Sequence, residues 1–250
     1  MLQQTQTSRV IEPWTRFLGA FPTPSACAEA PLSEVLRLWS GLGYHRRAKN
    51  LQDAAKMIRD EFGGAVPSET ADLRRLPGVG EYSANAVGSF AFARHVAVVD
   101  TNVGRVLARA IANRSLATRE ARVLANELLP RENAAAFNQA MLDLGARYCT
   151  STPRCVTCPV ARVCRWNLDG GLDPAPRSAG VSRPQPTFAG SDRQARGRVL
   201  AALRERPRTT QHLLACMEDV DATRGTALIA GLVADGLVER QGRLVRLSGD

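Results

Sequence analysis

The stretch Leu76-Pro77-Gly78-Val79-Gly80, followed twenty residues later by Asp100 in Val98-Val99-Asp100-Thr101-Asn102-Val103, decides how this chain folds. A short helix predicted near 69–75 and a longer one over 81–93 flank it, so two helices meet at a glycine hairpin. Glycine lacks a Cβ, and backbone amides there can approach a phosphate that other residues hold off. The second helix carries Ser83, Ala84, Ala86 and Gly88, small residues that permit close approach, and its N-terminal amides favour an anion. The same five residues also serve as a plain structural turn. Asp100 follows the apolar run Val96-Ala97-Val98-Val99 and stands at a predicted helix start. Its commonest role there is the N-cap. A cap also holds a carboxylate rigidly, as an electrostatic stabiliser of a developing cation requires. A phosphate-binding loop with one acid behind it points to chemistry on a nucleic acid.

The chain has 250 residues, enough for one large domain or two small ones. Its formal charge of +9 suits an acidic partner. Only Lys49 and Lys56 are lysines, so arginine carries nearly all the positive charge, and charge alone leaves the partner open. No apolar run reaches the length of a membrane span, and the polar start Met1-Leu-Gln-Gln-Thr-Gln6 is unlike a signal peptide. The cytosol is the expected compartment.

Residues 8–165 read as successive amphipathic helices, and the fold class is all-α. Val10, Ile11, Trp14, Phe17 and Leu18 share one predicted face; Val35, Leu36 and Trp39 share another. Further helices are predicted over 46–62, ended by Gly63-Gly64, and over 102–113, 118–129 and 133–147. Residues 167–190 carry Pro174, Pro176, Pro184 and Pro186 with four glycines and read as a linker. Beyond it, helices fit 191–205, 208–217 and 222–235, and the runs 237–239 and 244–247 form a hairpin around Gln241-Gly242-Arg243. Three helices and a hairpin resemble a winged helix. The expected division is therefore 1–166, a linker at 167–190, and a small α+β module at 191–250.

Four of six cysteines cluster as Cys149, Cys155, Cys158 and Cys164, spaced C-x5-C-x2-C-x5-C. In a cytosolic chain this means a metal site rather than disulfides. Such thiolates ligate one [4Fe–4S] cubane or one zinc. The single C-x2-C flanked by longer loops favours the cubane, because zinc sites more often pair two C-x2-C units. Arg147, Arg154, Arg162 and Arg165 surround the loop 149–164 and could turn positive charge toward DNA. Cys27 and Cys216 stand alone as inert thiols, and His95 and His212 have no partner spacing.

Together the hairpin, Asp100 and the four cysteines resemble the helix-hairpin-helix glycosylases of base-excision DNA repair, and most of all the MutY-type adenine glycosylases. The blocks Met1–Gln6, Gly41-Leu-Gly-Tyr44 followed by Arg47-Ala-Lys-Asn50, and Phe137–Ala146 match that family in order, over residues 1–166. The resemblance implies a monomeric bacterial enzyme at the nucleoid that excises adenine opposite 8-oxoguanine or guanine in double-stranded DNA. An adenine flipped from the duplex is protonated, its glycosidic bond breaks, and Asp100, beside Asn102, stabilises the oxocarbenium ion. Tyr82 stands where strand-cleaving relatives carry the Schiff-base lysine; a tyrosine forms no imine, which implies a monofunctional enzyme. Leu76, Gly78, Val79 and Gly80 match the phosphate-gripping hairpin, Gln4 and Tyr44 the residues that wedge into the duplex, and the four cysteines the iron–sulfur ligands. A related T·G or U·G glycosylase is the alternative, since Tyr82 suits it too.

Four departures qualify the resemblance. The family's general acid, a Glu, falls two positions before the residue matching Met1, so a Glu is expected in the reading frame just upstream; without it the protein would be a silent lesion binder. The first cysteine loop is one residue short. His45 replaces a tyrosine after Tyr44. The C-terminal part is too short and too helical for the family's usual lesion-recognising domain.

Overall fold

A computed structural model describes residues 1–3, 5–178 and 187–250 of the chain. Gln4 and the second half of the predicted linker, 179–186, lie outside the described residues. The chain forms two compact units: residues 1–66, 76–78 and 185–250 make the first, and residues 67–75 and 79–184 the second.

The first unit opens with α1 (Thr7–Ala20), α2 (Pro24–Glu29), α3 (Leu32–Leu38) and α4 (Arg46–Glu61). Thr23 caps α2 by accepting the Ala26 N–H, with Pro24 at the first helical position, where a missing N–H costs nothing. The predicted face of α1 is half right. Val10, Pro13 and Phe17 are buried, but Ile11, Trp14 and Leu18 are 59 %, 52 % and 44 % exposed. At about 100° per residue those two triplets lie roughly 100° apart on the helix. Only the first faces the core, where Phe17 meets Phe21 and Trp39 edge-on at 5.0 and 6.4 Å.

The same unit contains α11 (Asp192–Leu203), β1 (Arg208–Thr209), α12 (Thr210–Ala215), α13 (Ala222–Ala234), β2 (Val238–Gln241) and β3 (Leu244–Leu247). The strands form an antiparallel sheet in the order β1-β3-β2, with Val238 opposite Leu247. The segment predicted as a helix over 208–217 thus begins as a two-residue strand. Val199, Leu203, Ile229, Leu232, Val245 and Leu247 join Val35, Leu36 and Trp39 in one hydrophobic core. The sequence divides the chain at 166 and 190; its packing instead merges the C-terminal part with α1–α4.

The second unit holds α5 (Thr70–Leu73), α6 (Glu81–Phe92), α7 (Thr101–Val106), α8 (Thr118–Glu127), α9 (Ala134–Arg147) and α10 (Arg165–Asp169). The helix predicted over 102–113 runs as α7 and then widens into a π-helical turn, Leu107–Ala112, ended by Asn113 at φ 47°. Ala97, Val103, Leu107, Leu116, Ala121 and Ala125 form its core. The first half of the predicted linker is packed rather than free, because it caps buried groups. Asp173 pairs bidentately with Arg109 at 2.6 and 2.8 Å, and Ser178 Oγ accepts the Leu116 N–H. Among the described residues no helix is long and apolar enough to cross a membrane.

Candidate functional site

The hairpin owes its shape to one of its two glycines more than the other. Gly78 has φ +77°, and a Cβ there would sit 2.8 Å from the Asn50 Cβ, so conformation and space both require glycine. Gly80 is extended (φ −83°, ψ 178°) and caps α6, and a Cβ on it would meet nothing within 4 Å. Leu76 is buried and anchors the turn, Val79 is half-buried, and the backbone of Gly78 and Gly80 faces solvent. Gln3 Nε2 donates to the Gly78 carbonyl at 3.3 Å.

Asp100 is placed by three asparagines that the sequence reading did not single out. The chain before it, 96–98, pairs with no strand, and its backbone groups need partners. Asn138 Oδ1 accepts the Val98 N–H at 3.1 Å while its Nδ2 donates to the Val96 carbonyl at 2.9 Å. Asn126 Oδ1 accepts the Ala97 N–H, and Asn85 donates to the Ala97 carbonyl. The segment is thereby fixed from both sides, and Asp100 emerges half-buried as the N-cap of α7.

Each oxygen of that carboxylate has a partner: Oδ1 accepts the Val103 N–H and Oδ2 the Asn102 Nδ2, both at 2.8 Å. Asn102 Oδ1 in turn accepts Arg105 Nη2 at 2.6 Å. Arg105 also donates to the Gly145 carbonyl at 2.9 Å and, through Nε, to the Cys149 carbonyl at 2.7 Å. A continuous hydrogen-bonded path therefore joins Asp100 to the first cysteine of the 149–164 loop. Arg105 was invisible to motif reading; its position one turn after Asn102 is the only signal of its role. Tyr82, on the first turn of α6, is 43 % exposed. Burial, and then the Asp100 charge, push its phenol above the ordinary value, so it stays a neutral hydroxyl near neutral pH.

In the first unit, Tyr44 adopts the left-handed conformation at φ 47° in the Gly41–Tyr44 loop. Arg47 holds this loop, donating to the carbonyls of Leu42 (3.1 Å), Met1 (3.0 Å) and Gln3 and to Thr5 Oγ1 (2.9 Å), with its guanidinium over the Trp39 and Tyr44 rings. His45 beside it is pushed down to about 4, first by burial and then by the charges of Arg204, Arg196 and Arg47.

The four clustered cysteines are free thiols that line one pocket with Val106, Ala110, Leu144 and Trp166. Arg109, on the π-helical turn and 1 % exposed, donates to Cys149 Sγ at 3.4 Å. Burial raises the Cys149 thiol, and Arg109 opposes that rise, which favours the thiolate a metal ligand needs. Among the described residues no three His, Cys, Asp or Glu side chains lie close enough to hold a single metal ion. Four free thiols around one pocket are a donor set that either a [4Fe–4S] cluster or a zinc ion takes.

Residues 1–131 match the HhH-GPD superfamily of base excision DNA repair proteins. The chain belongs to that family. It is 42 % identical over 251 residues to an adenine DNA glycosylase of Mycolicibacterium smegmatis, spanning 96 % of this chain and 82 % of the relative. An adenine DNA glycosylase of Mycobacterium tuberculosis is 44 % identical over 250 residues, spanning 96 % and 80 %. Among solved structures, a thermostable thymine-DNA glycosylase superposes with a TM-score of 0.61 at 26 % identity over 67 % of this chain and 80 % of its own. A trapped endonuclease III–DNA covalent intermediate gives 0.59 at 29 % identity over 66 % and 79 %.

Proposed function

We propose that this protein is a monofunctional DNA N-glycosylase that removes adenine mispaired with 8-oxoguanine or guanine. The observation that carries the reading is the Asp100 carboxylate, fixed through both oxygens at the start of α7. A general acid protonates the base, and the C1′–N9 bond breaks with its electron pair leaving on the base while the sugar takes on oxocarbenium character. The rigid Asp100 charge stabilises that cation, and water adds at C1′ and gives up a proton to solvent, leaving an abasic site. Asn102 and Arg105 hold Asp100 in register, and Tyr82 lines the pocket as a neutral hydroxyl. With no amine at position 82, no imine forms there and the strand stays intact.

Leu76, Gly78, Val79 and Gly80 would take a DNA phosphate on their solvent-facing backbone, and Gln4 and Tyr44 would contact the duplex around the lesion. Cys149, Cys155, Cys158 and Cys164 would hold a [4Fe–4S] cluster. Free thiols around one pocket and the Arg109 donor support a metal group there, the single C-x2-C between two longer loops favours the cluster, and zinc is the alternative. Such a cluster would supply four iron–thiolate links that close the 149–164 loop on itself. Residues 191–250 are read as a winged-helix-like module; the three helices and the β1-β3-β2 sheet support this.

Excision from A·8-oxoG, A·G, T·G and U·G duplexes tests the reading. Release of adenine alone, with no borohydride-trapped adduct, is expected. Release of thymine or uracil instead favours the mismatch alternative, and tight mispair binding without any release favours a silent binder. Purified protein should be brown, with absorbance near ~400 nm; a colourless zinc protein refutes the cluster.

A further inference from the structure

Beyond the hairpin, Asp100 and the cysteine loop, a chain of cation–π contacts runs through the first unit. The Arg47 guanidinium stands 5.4 Å from the Trp39 ring centroid and 5.5 Å from that of Tyr44. Arg193 stands 5.1 Å from the Tyr44 ring and 5.1 Å from the Phe188 ring. Arg193 also donates to the Tyr44 hydroxyl. The contacts thus run Trp39–Arg47–Tyr44–Arg193–Phe188, from a fully buried indole to a Phe188 that is 54 % exposed.

The far end of this chain is built to hold its place. Arg193 is the second residue of α11, whose start is fixed twice. Ser191 Oγ accepts the Gln194 N–H and donates to the Phe188 carbonyl at 2.6 Å, while Gln194 Oε1 accepts the Gly190 N–H at 2.8 Å. Further along, Arg196 and Arg46 share Asp235, Arg204 donates to Ser40 Oγ, and Arg37 Nε donates to the Arg204 carbonyl at 3.1 Å. These contacts pin α11 beside the segment 37–46. The segment 187–193 therefore sets the side chain of Tyr44, whose backbone already sits in a conformation that non-glycine residues seldom adopt.

We propose that Arg193 is a specificity-determining positioning residue: with Phe188 behind it, it aims Tyr44 at the mispair, so the C-terminal part takes part in lesion discrimination through Tyr44 rather than by reading DNA itself. This rests on the glycosylase reading and adds a residue outside the 1–131 family match. The charge balance agrees, since residues 191–250 hold ten Arg against eight Asp and Glu, a weak electrostatic footprint for an independent DNA reader.

The test uses the full chain and two fluorescent duplexes, one with a non-cleavable 2′-fluoro adenosine opposite 8-oxoguanine and one fully matched, titrated at the same salt. The readout is the ratio of the two affinities for variants whose urea midpoints match the parent. Arg193→Ala should lower the ratio about tenfold, the worth of one partly desolvated cation–π contact with a charged hydrogen bond. Arg193→Lys, which keeps the charge but not the planar fork, should restore part of it, and Phe188→Ala should lower it a few-fold. In a Tyr44→Ala background, Arg193→Ala should cost nothing further. An unchanged ratio in Arg193→Ala, or an equal loss without Tyr44, overturns the proposal and leaves the glycosylase reading standing. A parent protein with no preference for the mispair overturns both.

Discussion

Replacing Gly145 by alanine should disturb the region around Asp100 from a distance. Gly145 lies in α9, and a Cβ built on it would be 2.5 Å from the Asn102 carbonyl oxygen, 2.6 Å from its carbon and 2.6 Å from its Cβ. Ordinary contact begins at about 3.4 Å or more, and the obstacle is backbone, which no rotamer change can clear. The first turn of α7 has to move by most of an ångström. Overpacking of this kind costs about 1–3 kcal/mol, and alanine's better helix propensity returns about 1 kcal/mol. The net expectation is a loss of up to about 2 kcal/mol, lowering Tm by up to roughly 8 °C for a chain of this size. Asn102 is also the residue that holds Asp100 Oδ2 and receives Arg105. A displacement near 1 Å can cost on the order of 100-fold in rate, so single-turnover excision should fall much further than stability does. Gly197→Ala in α11 is the matched comparison: its Cβ would meet nothing within 4 Å, and it should stabilise by about 0.5–1 kcal/mol. Urea titrations and single-turnover rates read both variants. A Gly145→Ala protein with an unchanged or higher midpoint and a rate within about twofold of the parent refutes the steric argument.

Three further perturbations follow from the same geometry. Asp100→Asn should abolish base release at a cost of about 1 kcal/mol in stability, because Asn keeps the cap but loses the second acceptor, which Asn102 Nδ2 uses; unchanged excision would sink the assigned role. His45 is held neutral, with its value lowered from 6.5 to about 4. Between those values the unfolded chain takes up a proton that the folded chain refuses, so stability falls as pH drops through this window. The loss reaches about 3 kcal/mol at pH 4, from about 1.4 kcal/mol per pH unit. His45→Gln should flatten that part of a urea-midpoint profile, and an identical slope in the variant contradicts the burial argument. Asp173→Asn leaves the buried Arg109 guanidinium without its bidentate partner. It should cost about 2–3 kcal/mol, below the full figure for a buried pair because Asp173 is partly solvated. A denaturation midpoint equal to the parent's would show the pair to be dispensable.

The legibility of this chain varied with how local each signal was. Helix ends were readable to within two residues in most of the second unit, because Gly80, Asp100 and Asn133 mark them. The face of α1 was not. Five apolar residues lie in two adjacent arcs, and only the packing of Phe17 against Phe21 and Trp39 chooses one of them. Asn85, Asn126 and Asn138 carry no capping or spacing signal of their own, yet they satisfy the backbone that delivers Asp100.

The sequence by itself determined the helical class, the glycine hairpin, the capping carboxylate and the grouped thiols, since each is written within a few dozen residues by φ preference, capping chemistry or spacing. Tertiary structure alone decided what surrounds them. It brought Arg105 between Asn102 and Cys149, set Arg109 against Cys149 and Asp173, and packed the C-terminal helices and sheet into the core of α1–α4. Arg193 thereby reached Tyr44 across 149 positions of chain. Such partners carry no periodicity or motif, because which distant side chain answers a buried charge or ring is settled only when the two surfaces meet.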